Sequence, residues 1–248
     1  MSGHSKWSTI KRKKGANDAR RGKLFTKLIK EITVAAMEGG GDPEANPRLR
    51  AAVQNAKGMN MPKDTIQRAI AKASRDSSGF MELTFEGKLP HGIGVYIDCL
   101  TDNRNRTVSN IRAIFNKRGG NLGTNGSLSF MFERKGIISL PTGNLDPEEF
   151  QLELIDAGVD EVEMEDETYM ITTPLEDFHN VQKKLNEMGL EPESAELQRV
   201  PHETVKLPVP EALQIMRIIE EFEDDDDVQA VYHNLEVTEE VSETLDGA

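Results

Sequence analysis

The chain is 248 residues long, and its 43 Asp and Glu outnumber its 30 Lys and Arg, for a formal net charge of −13. This length is typical of two or three domains with real cores. Its one cysteine, Cys99, excludes an internal disulfide and a Cys-based zinc knuckle, and no apolar run reaches the roughly 18 residues that span a bilayer. We therefore expect a cytoplasmic protein with no membrane partner.

The charge is distributed unevenly along the chain. Residues 1–78 hold 17 Lys and Arg and 7 Asp and Glu, a local charge of +10, so the other 170 residues carry −23. Clustered cations gain by displacing counterions from phosphates, and the asymmetry predicts a nucleic-acid-binding module joined to acidic domains. A transit peptide is the competing interpretation of the basic opening, but amphipathic structure continues through it without a cleavage-like break.

Residues 1–16 lack hydrophobic periodicity and read as a flexible basic arm. Its predicted phosphate contacts are Lys6, Lys11, Arg12, Lys13 and Lys14. Trp7 within this arm either stacks on a base or anchors the arm against the next domain, and we favour the anchor.

A first helix is predicted from Asn17 to Met37, because apolar residues recur there at helical spacing. Asp18 is the only acidic residue before Glu31, which favours phosphate contact over an ordinary solvated face of mixed sign. The cationic side of the helix is Arg20, Lys23, Lys27 and Lys30.

Two further helices complete a three-helix bundle over residues 17–75. Gly39–Gly41 end the first helix, Asn46 and Pro47 give a cap and first-turn signal for the second, and Pro62 begins the third. We place the first domain, the basic arm and bundle, at 1–78.

The hydrophobic period becomes alternating after Gly79, which indicates strands at 81–85 and 93–99. A helix at 104–118 and a strand with Leu128, Phe130 and Phe132 on one face follow. A last helix after Pro210 and a strand over 228–237 would complete this unfinished sheet, so a discontinuous α/β domain is predicted over 79–133 and 201–238.

Residues 134–200 read as a complete βαββαβ unit, the order of a ferredoxin-like sandwich, inserted in the discontinuous domain. The acidic tail, 239–248, is predicted to be disordered. The expected fold class is α+β: an N-terminal three-helix bundle followed by two α/β ferredoxin-like domains, one inserted in the other.

The segment Asp102–Thr107 lies where a strand gives way to a helix, and cations in a first helical turn oppose the helix dipole. Either Asp98 or Asp102 compensates the charges of Arg104 and Arg106, or these two arginines and the helix amides hold a phosphate. Arg106, Asn110 and Lys117 share a polar helix face that would extend such a surface.

No sequence pattern supports catalysis, a metal or a cofactor. Metalloprotease and serine-hydrolase motifs are missing, the glycines at 92–94 and 119–123 fit turns better than nucleotide loops, and the five histidines are scattered. The acidic run at 224–227 lacks a calcium-loop pattern and reads as a solvated helix end. We expect a non-enzyme with no cofactor, although catalytic residues can also converge from distant positions.

Six motifs, found in order along the chain, closely resemble the YebC family. They are Gly3–Trp7, Arg21–Lys27, Gly39–Pro43, Asn46–Arg50, Asp102–Thr107 and Gly119–Gly123.

The resemblance implies a helical domain followed by two α/β domains, one inserted in the other, and places function at Gly3–Trp7, Arg21–Lys27 and Asp102–Thr107. Members are described as probable DNA-binding transcriptional regulators. Others, including a mitochondrial translational activator of a cytochrome oxidase subunit, are similar to ribosome-associated factors that ease synthesis of proline-rich stretches.

We therefore predict a monomeric regulator of gene expression that binds nucleic acid: DNA, or structured and ribosomal RNA on the ribosome. Repulsion of nonspecific DNA by the acidic domains slightly favours a shaped RNA partner. Few side chains of the second and third helices suit base edges, the exceptions being Gln54, Asn55, Gln67 and Arg68, although a three-helix bundle can still dock in a groove. A protein-interaction scaffold is the third interpretation. The full set of predicted contacts is Lys6, Trp7, Lys11, Arg12, Lys13, Lys14, Arg20, Arg21, Lys23, Lys27, Lys30, Arg104 and Arg106.

Overall fold

A computed structural model of the chain describes residues 18–73, 79–143, 145–165 and 167–246. These ranges contain eight α-helices and eight β-strands, and the strands form two four-stranded sheets. The helices are α1 (Asp18–Gly39), α2 (Pro47–Gly58), α3 (Lys63–Ala73), α4 (Arg104–Lys117), α5 (Pro147–Ile155), α6 (Phe178–Glu187), α7 (Val209–Glu223) and α8 (Glu239–Asp246). The strands are β1 (Met81–Lys88), β2 (Gly94–Thr101), β3 (Asn121–Leu122), β4 (Phe132–Pro141), β5 (Glu161–Glu165), β6 (Thr168–Pro174), β7 (Ser194–Pro201) and β8 (Val228–His233).

The α+β prediction, with a helical bundle and two ferredoxin-like domains, is confirmed. By contacts, the chain divides into two compact units. The first is Met1–Lys27 with Ser78–Glu133 and Arg199–Ala248, and the second is Leu28–Ser77 with Arg134–Gln198. The domain boundaries drawn from the sequence stay predictions.

The bundle has a core of small and branched side chains at helical spacing. Its buried residues include Ile32, Ala36, Leu49, Ala56 and Ile66. Pro47 occupies the first turn of α2, and the Asn46 side chain accepts a hydrogen bond from the Leu49 amide, so the predicted N-terminal signal of α2 is confirmed.

The sheet of the first unit has the strand order β3-β1-β2-β8, and β2 pairs with both β1 and β8 in antiparallel register. Helices α4, α7 and α8 bury their apolar sides in one core with this sheet. The Phe115 and Phe222 rings meet there at 4.9 Å between centroids. Helix α7 and β8 thus complete the sheet that residues 79–133 leave unfinished.

The inserted domain has the strand order β5-β6-β4-β7, with β4 and β5 each antiparallel to β6. Ile138, Leu154, Ile171, Val181 and Leu185 are fully buried in its core. This is the βαββαβ connectivity of a ferredoxin-like sandwich.

The strand predicted over 128–132 is wrong. Ser129–Met131 forms a single 3-10 turn, Phe130 is 72% exposed, and β4 begins at Phe132. The Gly126 and Leu128 amides each donate to the Glu86 carboxylate at 2.6 Å, so the backbone turns around a side chain instead of pairing with a strand. Burial of a charged acceptor outweighs the local alternation here.

The tail predicted to be disordered forms α8 over Glu239–Asp246, so that prediction is wrong for these residues. Val241 and Leu245, four residues apart, are buried in the core of the first unit, and the Thr238 hydroxyl accepts a hydrogen bond from the Val241 amide. One apolar pair and a cap are enough to order a short acidic helix against an existing core. Residues 247–248 lie outside the described residues.

Candidate nucleic-acid interface

Six of the predicted contacts belong to the basic arm and lie outside the described residues: Lys6, Trp7, Lys11, Arg12, Lys13 and Lys14. Arg20 and Arg21 lie in α1, and their side chains are likewise outside the described part of the structure. Whether Trp7 stacks on a base or anchors the arm stays a prediction.

Two lysines of α1 contact the acidic end of α7, which we call the acidic turn and define as residues 223–227. Lys23 Nζ donates to the Asp224 carboxylate at 2.8 Å, and Lys27 Nζ donates to the Glu223 carbonyl at 2.7 Å. The second contact places a cation on the negative end of the α7 dipole. The next cation of the face, Lys30, is half-buried. Lys23 and Lys27 therefore have partners in the acidic turn, which no nearby sequence position reveals.

The acidic turn is also fastened to the start of α4. The Arg106 guanidinium donates to both carboxylate oxygens of Asp227, each at 2.8 Å, and to Asp102 at 3.0 Å. The Thr107 hydroxyl donates to Asp227 at 2.9 Å. Hydrogen bonds to Asp227, together with its charge, raise the pKa of Arg106.

Asp227 is only 3% exposed, so the interpretation of residues 224–227 as a solvated helix end is wrong for this residue. Its carboxylate is buried because Arg106 supplies the counter-charge and Thr107 a further donor. Of the two compensating acids that the sequence offered for Arg106, Asp102 does contact it and Asp98 instead faces Arg199 at 3.5 Å.

Arg104, in contrast to Arg106, is exposed and makes no ion pair within the described part of the chain. It lies at the first position of α4 and lines a groove of about 310 Å³ together with residues that include Thr84, Phe85, Val108 and Asn125. The structure thus separates two arginines that the sequence treated together: one guanidinium is held by a buried acid and the other is open to solvent.

The polar face predicted on α4 is largely engaged by the end of α7. Asn110 donates to Asp225 at 2.8 Å, and Lys117 and Arg118 both bind the Glu221 carboxylate. Hydrogen bonds from Lys117 and Arg118 lower the pKa of Glu221. The polar face of α4 is therefore bound to residues of the same unit, Glu221 and Asp225.

Sequence reasoning missed Glu86, which organises the glycine-rich loop, defined here as residues 123–128 after β3. The side chain is 3% exposed and accepts hydrogen bonds at 2.6 Å from the Tyr96 hydroxyl and from the Gly126 and Leu128 amides. Burial alone would raise the pKa of Glu86, but these hydrogen bonds outweigh it and lower the pKa below its ordinary value.

Tyr96 in turn connects this carboxylate to Arg199. Burial, with the hydrogen bond and charge of Glu86, raises the pKa of Tyr96 to about 12, so its hydroxyl stays a donor. The Arg199 guanidinium lies over the Tyr96 ring, 4.1 Å from its centroid. In the sequence, Glu86 is visible only as a charged residue next to Phe85 in β1, with its side chain on the opposite face of the strand. That position does not reveal the partners of Glu86.

Within the residues described, no group of three or more His, Cys, Asp or Glu is placed to hold a metal ion. None of the helices described here is long and apolar enough to cross a membrane.

The protein thus belongs to the class of α+β proteins, with an N-terminal helical part that is rich in Lys and Arg. Two family models match almost the whole chain, the TACO1/YebC protein N-terminal domain over residues 5–76 and the TACO1/YebC second and third domain over residues 80–235. The chain belongs to the TACO1/YebC family.

Curated relatives match over their full length. A protein of Rubrobacter xylanophilus is 50% identical, with all of both chains covered, and one of Amoebophilus asiaticus is 51% identical over 95% of this chain and 98% of its own. Each is named "Probable transcriptional regulatory protein". The crystal structure of a conserved hypothetical protein from Aquifex aeolicus is similar, with a TM-score of 0.78 and 42% identity over 88% of this chain and 91% of that one.

Proposed function

We propose that the chain is a non-enzymatic regulator of gene expression that binds nucleic-acid phosphates through its basic arm and the cationic face of α1. The observation that carries this proposal is the +10 charge of residues 1–78 in an otherwise acidic chain. The names of the full-length relatives support a role in transcription.

The proposed contacts of α1 are Arg20, Arg21, Lys23, Lys27 and Lys30, continuing the cations of the arm. Lys23 is 46% exposed although it pairs with Asp224, so its ammonium is accessible to a phosphate. Arg104 is the proposed contact on the discontinuous domain, because its guanidinium is exposed at the start of α4. Arg106 fixes the start of α4 by binding Asp227, and its side chain is still 48% exposed to a ligand.

A second class of target is structured or ribosomal RNA. The contacts of two polar side chains on α2 support it. Gln54 donates to the Pro192 carbonyl at 3.1 Å, and the Asn55 amide bonds both the carbonyl and the amide of Ala195. Two of the side chains suited to read DNA bases are therefore used inside the protein. Recognition by shape and phosphate, as on structured RNA, needs no such readers.

The two targets are distinguished by gradient co-sedimentation with ribosomes, performed beside a competition between duplex DNA and ribosomal RNA. The test variant is K23Q/K27Q/K30Q, and the control is K63Q/R68Q/K72Q, which removes the same charge from exposed positions of α3. Co-migration with ribosomes that the test variant alone loses supports the RNA role. Absence from ribosomes, with sequence-selective duplex binding at physiological salt, supports the transcriptional role, and binding to neither contradicts the proposal.

A further inference from the structure

The contact between Lys23 and Asp224 puts a carboxylate on one of the donor positions of the ammonium that a bound phosphate would use. The two charged atoms are 2.8 Å apart, the distance of a charge-assisted hydrogen bond, and an ammonium meets a phosphate oxygen at the same range. A phosphate can therefore reach Lys23 only by displacing Asp224 or by sharing its cation.

The two ends of the acidic turn are held very differently. Asp227 is buried against Arg106 and Thr107, and the Asp225 carboxylate accepts hydrogen bonds from Asn110 and from the Asp227 amide. Asp224, by contrast, has a side chain that is 66% exposed. The buried end fixes the turn in place, while the exposed end presents a carboxylate that is free to exchange.

The exchange is also energetically easy. Exposed ion pairs contribute little, because water screens the charges and two long side chains must be ordered. Opening the Lys23–Asp224 pair therefore costs only a small fraction of what several phosphate contacts return.

We propose that the acidic turn is an intramolecular competitor for nucleic-acid phosphate at α1, with Asp224 as the competing group and Lys23 as the cation over which the two compete. This inference rests on the proposed function, since it requires α1 to bind phosphate. The competitor lowers the affinity for a polyanion by a small factor, and a ligand that engages the other cations at the same time offsets this cost.

A double-mutant cycle on the full chain tests this inference. The variants are D224N, K23Q and K23Q/D224N, with E243Q as a matched control because Glu243 is exposed on α8 and its removal changes the net charge equally. Affinity is measured by fluorescence anisotropy with a short mixed-sequence DNA duplex and with an RNA hairpin.

The expected result is that D224N tightens binding about two- to fivefold relative to E243Q, the range that an exposed pair can supply. The gain should disappear in the K23Q background, because no cation is left to release. A gain that persists there would reveal only a general field effect and would overturn the inference, as would a D224N variant that binds no tighter than E243Q.

The K23Q variant separates this inference from the proposed function. If K23Q weakens binding while D224N is silent, α1 still binds phosphate and only the competitor is refuted. If K23Q leaves the affinity of both probes unchanged, Lys23 is not a phosphate contact, and both the competitor and the proposed role of Lys23 fail.

Discussion

The Glu86 carboxylate fixes the glycine-rich loop by accepting hydrogen bonds from two of its amides. The E86Q substitution removes the charge of this acceptor and leaves the shape of the side chain almost unchanged. One carboxylate oxygen serves the Tyr96 hydroxyl and the Gly126 amide, and the other serves the Leu128 amide. In either orientation the glutamine NH₂ group must face a donor. A charge-assisted hydrogen bond is lost and a buried donor is left without an acceptor.

The expected cost follows from these two losses. Hydrogen bonds to charged groups contribute about 1.5–3 kcal/mol, and a buried donor without an acceptor costs about 1–3 kcal/mol. Because the loop can relax in part, we predict a loss of about 2–4 kcal/mol for E86Q. In hydrogen exchange, the Gly126 and Leu128 amides should then exchange about 30- to 1,000-fold faster.

The effect also depends on pH with a definite sign. The folded-state pKa of Glu86 lies below its ordinary value of 4.5, so the folded protein binds fewer protons than the unfolded chain. The stabilisation is fully present above about pH 4.5 and is lost as the pH falls through the folded pKa. The difference between wild type and E86Q should therefore shrink in acid.

The assay is amide exchange with urea unfolding, and E82Q, an exposed position on the same face of β1, is the control. Unchanged protection of Gly126 and Leu128 in E86Q, after correction for intrinsic exchange rates, would refute the argument that this carboxylate holds the loop. So would a difference from wild type that grows as the pH falls.

Three further predictions concern buried groups of the first unit. D227N weakens the charge-assisted bonds from Arg106 and should lower the free energy of unfolding by about 2–3 kcal/mol in urea titrations, whereas a loss below about 0.5 kcal/mol would mean that Asp227 is not a structural anchor. L245A should cost about 2–4 kcal/mol because the side chain is buried in the main core; circular dichroism showing no loss of helix or stability would argue against an ordered α8. Burial raises the pKa of Cys99 to about 12, so iodoacetamide at mildly alkaline pH should label Cys99 only after unfolding, and rapid labelling of native protein would contradict its burial.

Most helices and strands were predictable because their apolar residues follow a regular period over many positions. Helix α4 was placed at 104–118 and lies at Arg104–Lys117, and the predicted βαββαβ order of the insert is the observed one. The errors fall where one side chain outweighs a local pattern. Glu86 binds the amides of Gly126 and Leu128 and so fixes the turn before β4, and Leu245 packs in the core and so orders the acidic tail. Neither contact is local in sequence.

The candidate interface was predictable in location but not in its partners. The charge asymmetry and the helical spacing place Lys23 and Lys27 on one side of α1. Their partners, the Asp224 carboxylate and the Glu223 main-chain carbonyl, lie about 200 positions away, which no periodicity can reveal. For the same reason the sequence could not separate Arg106, held by the buried Asp227, from the exposed Arg104.

The central claim is that α1 binds nucleic-acid phosphates, and the salt dependence of binding tests it most directly. The slope of log affinity against log salt concentration should be shallower for K23Q/K27Q/K30Q than for wild type by about 2–3, close to one per lost phosphate contact. The K63Q/R68Q/K72Q control should keep the wild-type slope. Equal slopes for wild type and the α1 variant, or an equal loss in both variants, would contradict the assignment of phosphate binding to α1.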